Sequence, residues 1–80
     1  MRYEITASAR KHGIAPDDMV HAVDYPMAVV PGTRDTTLYI GAARSGALLE
    51  VGVTVADVPR IIHAMPLRQT LYRYLRRSGD

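Results

Sequence analysis

The 80-residue chain has no cysteine, tryptophan or phenylalanine. Without cysteine there is no disulfide scaffold, no thiolate zinc site and no cysteine nucleophile, and a reducing intracellular address fits best. Long apolar runs are also missing. Met27-Ala28-Val29-Val30 is typical of the longest, against the roughly 20 apolar residues that a membrane-crossing helix needs. No charged-then-apolar leader precedes a cleavage site, so neither signal peptide nor membrane span is expected and the expected location is the cytoplasm. A chain this short has room for one core, and residues 1–80 read as a single domain. It buries only about 60% of its unfolded surface, which predicts marginal stability.

Acid is absent from residues 58–79, with Asp80 closing the chain. Residues 58–79 hold Arg60, Arg68, Arg73, Arg76 and Arg77 with no aspartate or glutamate, whereas residues 1–57 carry a net charge of −2, so the overall +2 conceals a polarised chain. Nine of the ten bases are arginine, whose planar fork of donors suits phosphate better than a lysine point charge does. A polyanion or an acidic partner is the first expectation, and a solvated basic helix is the plain alternative.

The pattern along the chain predicts an α+β domain. Thr6–His12 is helix-compatible, and Gly13 follows where a left-handed C-terminal cap is usual. Pro16-Asp17-Asp18 restarts a helix that runs to about Asp24, packing by Met19, Val20, Ala22 and Val23 until Pro26 stops it. Strands follow at Met27–Val30, Thr36–Ala43, Ala47–Val55 and, less securely patterned, Arg60–Met65, with turns at Pro31–Asp35 and Arg44–Gly46. In the third strand Leu49, Val51, Val53 and Val55 form the core face and Glu50 lies on the other; in the second, Leu38, Ile40 and Ala42 are expected to point inward. Pro66 should open a last helix over roughly 66–77, with Arg68, Tyr72 and Arg76 on one stripe and Arg73 and Arg77 on another. The expected order is two short helices, three or four antiparallel strands, then a helix.

Each group that could carry chemistry has a plain role beside a functional one. His12 suits the carbonyl end of the first helix, and His21 suits an exposed partnership with Asp17. His63 interrupts an apolar strand just before the basic segment, where an aliphatic residue is the usual occupant. No histidine spacing supports a metal, and no metal or cofactor is expected. Gly41–Gly46 lacks the lysine of a phosphate loop and reads as a hairpin turn. Metal-free cleavage of RNA uses more of these residues: attack by a 2′-hydroxyl needs a base, an acid for the leaving 5′-oxygen, and cations on the transition state. Glu50, His63 and Tyr72 are candidate proton carriers, and Arg44, Arg68 and Arg76 are candidate phosphate clamps.

Arg10-Lys11-His12-Gly13-Ile14, Asp24-Tyr25-Pro26, Gly32-x-Arg34-Asp35, Leu38-Tyr39-Ile40-Gly41, Leu48-Leu49-Glu50-Val51 and Arg60-Ile61-Ile62-x-Ala64, followed by an Arg/Tyr-rich segment, together resemble the BrnT-type toxins of bacterial toxin–antitoxin pairs. A closer likeness is to small actinobacterial-type toxins ending in the pattern of Ile62-His63-Ala64-Met65-Pro66-Leu67-Arg68 and Tyr72. The resemblance implies a RelE-like fold, ribonuclease activity on mRNA at or near the ribosome, and an antitoxin that forms a hetero-oligomer with the toxin over its basic cleft. It puts weight on Arg34, His63, Arg68, Tyr72 and Tyr74, with His63 and Met65 standing where the family usually has serine and arginine. On this view His63 and Tyr72 handle protons, Glu50 or Arg34 orients them, and Arg68, Arg73 and Arg76 hold phosphates. The second expectation is a non-catalytic basic module that binds an acidic protein or nucleic acid. A DNA-binding protein in its own right comes third, since no helix-turn-helix pair is evident.

Overall fold

Alternating and β-branched residues build the centre of the chain into a sheet, and the reversals fall on its glycines and prolines. The computed structural model describes residues 3–55 and 57–75. Among them are β1 (Glu4–Ile5), β2 (Pro26–Pro31), β3 (Thr36–Ala42), β4 (Leu48–Thr54) and β5 (Arg60–Pro66), joined in one sheet of order β1-β5-β4-β3-β2. All neighbouring pairs are antiparallel except β1 and β5, which run parallel. An α-helix, α1 (Pro16–Asp24), and two 3-10 helices, Ser8–His12 and Gln69–Leu75, complete the α+β fold. The five-stranded mixed sheet replaces the expected three or four antiparallel strands, because two-residue β1 is too short to leave an alternation in the sequence.

The helix and turn signals act as their chemistry requires. Pro16 opens α1 with Asp17 and Asp18 in the first turn, and Tyr25 N–H donates to His21 O before Pro26 ends it. Gly13 adopts φ 76° and caps the first helix through its N–H on Arg10 O. That helix is 3-10 rather than α. At the β3–β4 turn Gly46 takes φ 97° while Ala43 N–H donates to Ala47 O at 2.7 Å.

The core lies between α1, the first 3-10 helix and one face of the sheet. Met19, Ala22 and Val23 from the helix meet Leu49, Val51 and Val53 of β4 and Ile61 and Ala64 of β5, with Ala9 closing the end. Burying such side chains contributes about 1.5–3 kcal/mol each for the larger ones. On β3 the expected orientation is reversed. Tyr39 pairs with Val51 and Gly41 with Leu49, so these two, not Leu38, Ile40 and Ala42, share the pleat that faces α1. Gly41 is there for space: a Cβ would collide with the Ala22 carbonyl. Ile40 is fully buried all the same, on the opposite face beside Glu50.

The last helix also differs from expectation. Pro66 ends β5 instead of opening a helix, paired with Leu49, and Leu67 N–H continues the ladder to Leu48 O. Since amides alternate in direction along a strand, the donor that Pro66 lacks would point away from β4, where β1 has already ended. Gln69–Leu75 then winds as a 3-10 helix beside β2. At three residues per turn Arg68 and Tyr72 no longer share a stripe, and Arg76 lies outside the described residues. Among the described residues no helix is long and apolar enough to cross a membrane.

Candidate functional site

The sheet face opposite α1 carries a carboxylate that water does not reach. Glu50, on β4 between its cross-strand partners Ile40 and Met65, is 0% exposed. A buried carboxylate is costly unless it is paired and hydrogen-bonded. Arg68 supplies most of the pairing. Its backbone N–H and Nε each lie 3.0 Å from Oε1, and Nε and Nη2 lie 3.1 and 2.7 Å from Oε2. The grip depends on the chain beyond Pro66, because Arg68 follows the last ladder bond at Leu67 and brings both its amide and its side chain onto one carboxylate.

His63 completes the cluster from β5, with Nε2 3.0 Å from Glu50 Oε2. It is the cross-strand partner of Gly52, where a Cβ would press within 3.3 Å of His63 Cβ. Glycine on β4 therefore gives the imidazole its seat. Burial alone would push the Glu50 carboxyl up, but the Arg68 side chain and amide, with the His63 ring, outweigh it and hold the group below its ordinary range. The same carboxylate pushes Arg68 further up. Glu50 is thus ionised at neutral pH and acts only as an acceptor, so His63 Nε2 carries the hydrogen and a neutral ring keeps its lone pair on Nδ1. The side chains of His63 and Arg68 remain 35% and 55% exposed. Arg68 Nη1 makes no hydrogen bond among the described residues.

A second imidazole stands beside the first. His12, exposed at the end of the first 3-10 helix, meets His63 edge-on with ring centroids 6.2 Å apart and planes at 80°. Sequence spacing assigns His12 to helix capping; only the packing of that helix along β5 brings the two rings together.

The other candidate residues lie elsewhere or keep other company. Arg44 is bound to the first turn of α1, through Nε to Asp18 Oδ1 at 2.8 Å and Nη1 to Asp17 Oδ2 at 3.5 Å. Its side-chain hydrogen bond holds Asp18 below the usual carboxylate range. Asp17 and Arg44, with Val20, His21, Asp24 and Tyr25, line an open cleft of about 440 Å³. His21 is not the exposed partner of Asp17: its Nδ1–H donates to Ala42 O at 2.8 Å. Arg34 sits in the β2–β3 turn at φ 58°. Tyr72 is 51% exposed on the second 3-10 helix and has no hydrogen bond to the Glu50 cluster among the described residues. Arg73 lies 4.9 Å over the ring of Tyr74 and donates to its hydroxyl. Among the described residues no group of three or more His, Asp or Glu could hold a metal ion.

Comparison with protein families, with curated proteins and with solved structures finds no match.

Proposed function

We propose that this chain is the toxin of a bacterial type II toxin–antitoxin pair, a RelE-like, metal-independent endoribonuclease that cleaves mRNA. The observation that carries the reading is the fully buried Glu50 carboxylate, whose two ligands, His63 and Arg68, both reach solvent. Glu50 fixes the tautomer and orientation of His63, leaving Nδ1 to take the proton of an attacking 2′-hydroxyl. Arg68 presents Nη1 to the charge that develops on the phosphate. Met65 occupies the cross-strand position from Glu50 where the BrnT pattern has arginine, and the Arg68 guanidinium lies on that same carboxylate. Arg68 therefore takes over the missing cation's place. Tyr72 and the Arg73–Tyr74 stack are exposed nearby in sequence as contacts for a base and for backbone phosphates. An acidic antitoxin covering the arginine-rich quarter would neutralise the toxin.

The test is cleavage of RNA by the purified protein in chelator, alone and with ribosomes. Loss of the proton carrier in His63→Ala should slow cleavage by about 10²–10⁴-fold. Undiminished rates in both His63→Ala and Tyr72→Phe would remove these residues from the mechanism. A second reading, a non-catalytic basic module, is favoured by one feature: Arg68 already satisfies Glu50, as a purely structural pair would. Absence of cleavage by the unmodified protein in every format would favour it over the first.

A further inference from the structure

The first 3-10 helix is pinned along β5. Thr6 Oγ1 donates to Ile61 O, Ser8 Oγ donates to Ile62 O, and Ala9 is sealed into the core. His12 is consequently held with its ring against His63, a placement that capping the helix does not require. The two imidazoles are unequal. His63 has a buried carboxylate on Nε2, whereas His12 is exposed and has no carboxylate partner among the described residues.

We propose that His12 is the second proton carrier of the site, the general acid that complements His63. This inference rests on the ribonuclease reading and deepens it. His63 Nδ1 takes the proton of the 2′-hydroxyl as the 2′-oxygen bonds to phosphorus. The bond from phosphorus to the 5′-oxygen breaks, and protonated His12 gives its proton to that leaving oxygen. The products are a 2′,3′-cyclic phosphate and a 5′-hydroxyl. Solvent then restores the starting state, removing the proton that His63 gained and returning the one that His12 lost. In an in-line displacement the entering and leaving oxygens lie on opposite sides of phosphorus. Two rings with centroids 6.2 Å apart can each serve one of them when the phosphate sits at their common rim, with the half-exposed Arg68 held beside His63 on the same Glu50 carboxylate.

The leaving group isolates the role of His12. An RNA oligonucleotide is compared with the same oligonucleotide carrying sulfur in place of the bridging 5′-oxygen, because a thiolate departs without a proton. His12→Ala and His12→Gln should each lose about 10²–10⁴-fold on the oxygen substrate yet stay within about threefold of the unmodified protein on the sulfur substrate, while His63→Ala is slow on both. The assignment is overturned if both His12 variants cleave the oxygen substrate normally, or if they are slowed equally on the two substrates. Failure of the unmodified protein to cleave either substrate would overturn the ribonuclease reading itself, and this assignment with it.

Discussion

Removing Arg68 should damage the fold more than neutralising Glu50 does, although Glu50 is the buried member of the pair. Arg68→Ala strips the guanidinium from an ionised carboxylate that is 0% exposed, leaving it only His63 and the residue-68 amide, a loss of about 3–5 kcal/mol. Glu50→Gln leaves instead an arginine whose side chain is 55% exposed. Water can take over its hydrogen bonds, so the cost is nearer that of weakened charge-assisted bonds, about 1–3 kcal/mol. The double variant Glu50→Gln/Arg68→Ala should then be more stable than Arg68→Ala alone, because no buried charge remains. Urea unfolding at neutral pH measures all three. A domain of this size holds on the order of 5 kcal/mol, so Arg68→Ala is expected to keep no more than about 2 kcal/mol, part of the loss being recovered by the second change. If Arg68→Ala costs no more than Glu50→Gln, or if the two costs add, the account of the buried carboxylate is refuted. The same pair gives a pH signature. Glu50 is held below its ordinary 4.5, so between the folded and unfolded values the unfolded chain binds a proton that the native one does not. Stability from this group is present above 4.5 and is lost as pH falls through the folded value. Glu50→Gln should remove that part of the acid limb.

Three further outcomes are expected. Gly41→Ala forces a methyl into the Ala22 backbone and should prise α1 from the sheet, with overpacking costs of about 1–3 kcal/mol or more by thermal unfolding; unchanged stability would contradict the close approach. Gly52→Ala needs only a few tenths of an ångström from His63, so it should leave unfolding nearly unchanged while slowing RNA cleavage about tenfold by shifting the imidazole. Tyr3 donates its hydroxyl to Asp24 Oδ1 and, through burial first and that bond second, is pushed up to about 12. Its contribution is complete below the ordinary 10.0 and lost as pH rises towards about 12; Tyr3→Phe should flatten stability across that alkaline window.

Local signals read well because local chemistry decides them. Pro16 with its two aspartates, Gly13 and Gly46 at positive φ, and the alternation through Leu49, Val51 and Val53 need nothing distant. The β3 faces were not legible in the same way. Leu38, Tyr39, Ile40 and Gly41 offer no charged residue to mark the outside, and the residue that decides the matter is a glycine chosen for its missing side chain. Helical periodicity after Pro66 misleads because β5 carries through that proline and the following turns are 3-10. At the site, Glu50, His63 and Arg68 stand out individually as a charge on a strand, a histidine in an apolar run and an arginine in an acid-free segment. Their convergence is set by strand register and by the path of the chain just beyond Pro66, and the meeting of His12 with His63 by a packing 51 residues apart in sequence.

The place of β5 has a consequence for the birth of the molecule. It lies between β1 and β4, so the N-terminal strand has no neighbour until residues 60–66 have been synthesised, and Glu4 waits for Arg60 across 56 positions. Glu50 likewise stays hydrated until Arg68 arrives. A nascent chain that has not yet delivered its C-terminal quarter to solvent can neither close the sheet nor assemble the charged cluster. Closure of the sheet and assembly of the charged cluster therefore both wait for residues 60–68.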